Sequence, residues 1–124
     1  MVVSFQSLDS ENNKIEYLAE AKQVEDYIEF EDKSCSDTKI KFKMGNGIAE
    51  FIRVGFISMS IKFQLNETTP GAYVNAEGVD FEFEIYTTEL QMDKDKLSVR
   101  YNMIMDNKVI SKHFIQISFL ENLA

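Results

Sequence analysis

Two arginines stand among thirteen basic residues, so each position carries weight. Arg53, in FIRVG, shares a strand face with Ala49 and Phe51 if the segment is extended. On an interior face its guanidinium needs a buried partner, because an unpaired charge there is costly. That partner is either a carboxylate of the protein or the acid group of a ligand. Tyr73 and Tyr101 are phenols that can complete such an anchor. Met59 and Met103 are soft side chains suited to an adaptable apolar wall. The competing reading is an arginine that snorkels to a rim and caps the end of the fold. Arg100 shares its face with Ser98 and Asn102, opposite Val99 and Tyr101, and reads as exposed.

Other chemistries find less support. His113 is the single histidine, which disfavours a common zinc site. It alternates with Val109, Ser111, Ile115 and Ile117, opposite Phe114. Both faces hold apolar residues, so parity alone leaves its side undecided. Cys35 is the one cysteine, which forbids an internal disulfide and any multi-cysteine metal site. It lies in the polar segment KSCSDT with no neighbouring histidine, and reads as an incidental thiol. Glu77, Asp80, Glu82, Glu84 and Glu89 are abundant carboxylates, but most take outward strand positions. A glycosidase needs two that share one cleft. Asp93 and Asp95 in MDKDK hint at calcium, yet the loop lacks the length, glycine and terminal glutamate of an EF-hand. GNG at 45–47 is too short for a phosphate loop and no helix follows it. No metal and no cofactor is expected, and no catalytic set.

The elements that must position these residues are extended. FEFEIYTTEL, residues 81–90, sets Phe81, Phe83 and Ile85 against Glu82, Glu84 and Tyr86, a period of two that marks half-buried strands. TKIKFKM sets Ile40, Phe42 and Met44 against three lysines, and FISMSIKFQL and LSVRYNMIM repeat the theme. Val3, Phe5 and Ser7 open a first strand. Residues 14–22 read as a strand with Ile15, Tyr17, Ala19 and Ala21 on one face, a helix being the alternative there. GNG joins hairpin strands, because Gly and Asn accept positive φ. Gly55, between two strand-like runs, reads as a bulge or bend. NETTPG reads as a break, and AYVNAEG as a short strand running into a turn. The count is about eight to ten strands with short polar connections, which suit antiparallel neighbours. Long strands greasy on one face close most simply into an up-and-down barrel, which leaves no open edge. The fold class is therefore all-β, a closed antiparallel barrel, and residues 1–124 form one domain.

The chain carries a net charge of −8 and a sequence pI near 4.6. That excludes nucleic acid, which needs clustered Lys and Arg, and disfavours anionic membranes. MVVSFQSL lacks the basic start and apolar core of a secretory signal, and no run is long enough to span a bilayer as a helix. A cytoplasmic protein is expected.

FIRVGFISMSIKF, AYVNAEG, IYTTEL and LSVRYNM together resemble the YwiB-like family of small bacterial proteins of unknown function. The carrying residues are Arg53, Gly55, Phe63, Tyr73, Gly78, Thr87 and Tyr101. Asn75 stands where that family has threonine, so the hydroxyl is missing here. The likeness runs over residues 48–119. It implies a lipocalin-like, or calycin-type, closed barrel and no particular activity, since such barrels host many functions.

The functional expectation is a non-enzymatic barrel holding a small, partly apolar ligand, anionic if Arg53 is its anchor. The alternative is a solidly packed barrel that contacts another protein or a second copy of itself. An interior cavity of about 300 Å³ or more with converging polar groups would favour the ligand.

Overall fold

Alternation along the chain becomes ten strands among the residues that the computed structural model describes, 1–75, 77, 78 and 80–120. They are β1 (Val2–Asp9), β2 (Lys14–Val24), β3 (Tyr27–Glu31), β4 (Lys39–Gly45), β5 (Ile48–Val54), β6 (Ile57–Gln64), β7 (Thr68–Asn75), β8 (Asp80–Asp93), β9 (Lys96–Met105) and β10 (Lys108–Leu120). Each pairs antiparallel with its sequence neighbours, and β10 returns to β1. The result is a closed up-and-down barrel, as the alternation predicts. Residues 14–24 are strand and not helix. No helix among the described residues is long and apolar enough to cross a membrane.

Turn chemistry sets the connections. Asn46 and Gly47, at φ 55° and 76°, make the β4–β5 hairpin that GNG predicts, and Asp106 and Asn107 do the same between β9 and β10. Part of the turn expected from AYVNAEG, at Ala76, and Val79 beyond it lie outside the described residues. One break is misplaced by sequence. NETTPG does not end at the proline: β7 begins at Thr68, and Asn66 at φ 60° is the turn. Pro70 is tolerated because the ladder to β6 stops at Gly71, so β7 continues on β8 alone. There the Thr69 hydroxyl donates to the Lys62 carbonyl in place of a ladder bond. Gly71 lies under the Phe83 ring, where a Cβ would overlap it.

The inward faces fill the barrel's middle. Phe42, Phe63, Ile40, Ile61, Ile85, Leu97, Ile117, Val3 and Val99 are fully buried. Phe5, Tyr17, Phe30, Phe42 and Phe119 touch ring to ring in sequence, at centroid distances of 5.1 to 6.3 Å. Packing fails at one end. Phe83 and Ile85 are buried as their alternation requires, but Phe81 on the same face is 46% exposed and stacks on Tyr73. Parity gave its side correctly; its depth is that of a rim.

That open end receives the β1–β2, β3–β4, β5–β6, β7–β8 and β9–β10 connections. β3 is short and pairs with only Ala21–Val24 of β2, so residues 14–20 are laddered on β1 alone. The chain after β3 forms a strap, residues 32–38, at this end. The bend at Gly55 holds its far side, where a Cβ would overlap the Thr38 hydroxyl.

Candidate functional site

Inward positions that run out toward the open end change from apolar to polar. β1 continues Val3, Phe5 into Ser7 and Asp9; β3 continues Ile28, Phe30 into Asp32; β5 continues Ala49, Phe51 into Arg53. On β10 a register shift between Val109 and Ser111 leaves Ser111, His113, Ile115 and Ile117 inward. His113 thus faces the interior, which sequence left open. These groups surround a cavity of about 250 Å³, whose apolar wall includes Phe5, Ile15, Ile40, Phe51, Met59 and Met103. It falls a little short of the expected 300 Å³, but the polar groups do converge.

Arg53 is the central cation. Its Nη2 lies 2.8 Å from Asp32 Oδ2, with the Asp32 side chain 3% exposed and the Arg53 side chain 30%. Of the two partners open to it from sequence, the one present is a carboxylate of the protein. Asp32 is otherwise saturated: its Oδ1 accepts the Ser34 amide at 2.9 Å and the Ser34 hydroxyl at 2.5 Å. The Asp32 amide donates to the Thr38 carbonyl, and its own carbonyl accepts the Cys35 amide. Asp32 is therefore the knot that ties the strap to β5. Burial, and after it the Asp32 charge, push the Tyr17 phenol pKa up. Among the described residues its hydroxyl has no hydrogen-bond partner, so it is an electrostatic neighbour of Asp32.

The opposite wall carries the imidazole. His113 stacks on Tyr101 at 4.9 Å and 15°, and its Nε2 is 2.7 Å from Ser111 Oγ. Burial lowers its pKa below the usual 6.5, with Asp9 opposing, so it is neutral near neutrality. Asp9 pairs with it across the β1–β10 ladder, which brings serine, histidine and aspartate near one another. They do not form a charge-relay set. The Asp9 oxygens accept the side chain and amide of Asn13 and the amide of Glu11, which hold the turn and keep its carboxyl below the usual range. With the carboxylate bound locally, Asp9 is not placed as the acid that orients the imidazole of a triad.

Of the residues singled out from sequence, Arg53, Met59, Tyr101 and Met103 line one cavity. Tyr73 does not line it and instead stacks on Phe81 at 5.2 Å. Burial raises the Tyr101 phenol pKa. Sequence reasoning missed Asp32 and Ser7 as wall residues, although the parity of Phe30 and Phe5 extended by one step reaches both. Arg100 is exposed as expected, paired with Glu89 at 3.0 Å and lying over the Phe114 ring. Cys35 is exposed on the strap. Asp93 serves a turn, with its Oδ1 accepting the Asp95 amide. Among the described residues, no group of three His, Cys, Asp or Glu could hold a metal ion.

Larger concavities open on the surface, two of about 740 and 880 Å³ and two of about 320 and 370 Å³, the last sharing Asp9 and His113 with the mouth. The first is an open trough on the barrel wall by Glu50, Lys62, Glu82 and Glu84. Glu50 there is engaged by Tyr27, Lys43 and Lys62, at 3.0, 3.5 and 3.7 Å. The second is formed by the strap itself with Val54 and Gly55. The first sets that ionic cluster beside Ile52, Pro70 and Ile104 on the outer wall and the second is a polar strap surface, whereas the mouth opens onto side chains of the barrel interior, the setting that selects it.

The structure is similar to the crystal structure of the ywiB protein from Bacillus subtilis, with a TM-score of 0.66 at 17% identity, covering 97% of this chain and 91% of that one. At that identity the likeness speaks for the fold. No curated protein matches the chain. The family model for a domain of unknown function, DUF1934, matches residues 2–117. The chain therefore belongs to the DUF1934 family, a YwiB-like barrel.

Proposed function

We propose that this protein is a binding barrel that takes a small, partly apolar molecule into the cavity at its open end, head toward Arg53. The observation that carries the reading is the composition of that cavity. Its wall is aliphatic, aromatic and thioether, and Arg53, Ser7 and His113 converge on it. Arginine has five N–H donors, and Asp32 is its ion-pair partner among the described residues. The remaining donors are available to a ligand oxygen. A size of about 250 Å³ suits a molecule smaller than a typical drug. No covalent or acid–base step is invoked.

The test is a thermal-shift screen of the wild type against short-chain acids, amides, ketones and amines, repeated with Arg53→Met. Head-dependent stabilisation that disappears in the variant supports the reading. A wild type that no compound stabilises refutes it.

A protein-contact reading is favoured by one observation. Leu8, Val54, Phe56, Ile57, Val74, Phe81, Val109 and Ile110 are exposed apolar residues on strand ends and turns at the same end of the barrel. Exposed apolar side chains at one end of a barrel are the material of a contact site. Phe56, at 69% exposed, is the most prominent. Loss of concentration-dependent association in Phe56→Ser would support this second reading, and a wild type that is monomeric at all concentrations would remove self-association from it.

A further inference from the structure

We propose that Asp32 sets the charge preference of the mouth, so that the cavity takes a ligand with an uncharged hydrogen-bond acceptor as its head, such as a ketone or amide, and disfavours carboxylates. This rests on the mouth being a ligand site.

The first support is the state of the donors and acceptors. Both mouth carboxylates already accept from the protein: Asp32 from Ser34 twice and from Arg53, Asp9 from Glu11 and from Asn13 twice. Little acceptor capacity remains for a cationic or donor head. Arg53 keeps most of its donors, and the Ser7 hydroxyl is near. What the site holds in surplus is guanidinium donors, and a ligand can bring the acceptor.

The second support is charge. An isolated arginine in an apolar mouth would call for an anion. Here Asp32 neutralises it at 2.8 Å, Asp9 adds a negative charge on the cavity wall, and burial keeps His113 uncharged. With Arg53, Asp32 and Asp9 as its charged groups, the mouth is net negative. A carboxylate ligand would have to share one guanidinium with Asp32 in a poorly solvated space, where like charges penalise each other strongly. Displacing Asp32 would undo both Ser34 bonds and the strap with them. A carbonyl oxygen meets neither obstacle: it accepts from the free edge of the guanidinium and leaves the pair intact.

The experiment uses four probes of one chain length, octanamide, 2-octanone, octanoate and octylamine, titrated calorimetrically at about pH 7.5, where the acid and amine are ionised. The wild type should bind octanamide and 2-octanone at least about tenfold tighter than octanoate, since a nearby like charge is worth roughly one to three decades. Octylamine should bind more weakly than octanamide, because both mouth carboxylates already accept from the protein. Asp32→Asn keeps an oxygen for Ser34 and removes the charge, so octanoate should gain at least about tenfold while octanamide changes little. A strap with a merely structural role would shift both probes together. The proposal is overturned if the wild type prefers octanoate or octylamine, or if Asp32→Asn moves octanoate and octanamide equally. The wild-type ratio suffices should the variant not fold. If no probe binds the wild type, the ligand reading itself falls, an outcome distinct from binding without head preference.

Discussion

Replacing Arg53 by methionine isolates the Asp32 carboxylate in a place where its side chain is 3% exposed. Removing one partner of a buried pair destabilises by about 3–5 kcal/mol, because the other charge stays behind unpaired. Two features place this site at or below that range. The Arg53 side chain is 30% exposed, and the orphaned carboxylate retains both Ser34 bonds. A loss of about 2–3 kcal/mol is therefore expected. Unfolding entropy near 2.1 cal/mol/K per residue over 124 residues amounts to about 0.26 kcal/mol/K. The melting temperature should accordingly fall by about 8–12 °C. Asp32→Asn alone should cost less, since Arg53 can turn toward water. The double variant Arg53→Met with Asp32→Asn should recover much of the single-variant loss, giving a coupling of about 2 kcal/mol in urea denaturation. Additive losses, or a drop below about 1 kcal/mol for Arg53→Met, would show that the pair is a solvated rim contact and would remove the knot from the strap.

Gly55→Ala sets a methyl group against the Thr38 hydroxyl, and overpacking of this kind costs about 1–3 kcal/mol; Thr38→Ala in the same chain should restore most of it, measured by thermal melting. Gly71→Ala drives a Cβ into the Phe83 ring and should destabilise by a similar ~1–3 kcal/mol, with partial rescue by Phe83→Leu. His113 has a folded pKa below 6.5, so the unfolded chain binds its proton first and stability falls as pH drops through and below about 6.5. Chemical denaturation at about pH 7.5 and 5.5 should show that decline in the wild type and a flatter profile in His113→Gln. Asp9 and Glu50 have lowered pKa values, so their stabilisation is present above the unfolded values and is lost only at more acidic pH.

What sequence revealed and what it hid divide along a physical line. Period-two alternation is local, so it settles which side each residue takes: Phe83, Ile85, Met59, Tyr101 and Arg53 all face the interior as their neighbours require. Turns are equally local, and Asn46–Gly47 declares itself through positive φ. Depth along the barrel is not local. Phe81 and Tyr73 share the inward parity of Phe83, yet Phe81 is exposed and Tyr73 only half-buried, and only the stagger of the closed sheet decides that. Pro70 misleads for a related reason, because its place in a strand depends on where the ladder to the other neighbour stops.

Arg53 shows how a motif can be legible while its use is not. The place of Arg53 on the strand face of Ala49 and Phe51 invites a ligand-anchor reading, since Glu50, the nearest acid in sequence, lies on the opposite face. The structure gives Arg53 and Gly55 one shared task at the strap: Arg53 grips its first residue through Asp32, and Gly55 makes room for its last at Thr38. The two grips lie two residues apart on one strand end because the strap crosses back beside the strand it braces. Asp32 comes twenty-one positions earlier, on the inward parity of Phe30 but one step beyond β3, where extrapolated alternation would have placed it. A charge that ends an inward face is easily taken for a loop residue facing water. In a barrel that end is the mouth, and an acid there is positioned to govern what enters.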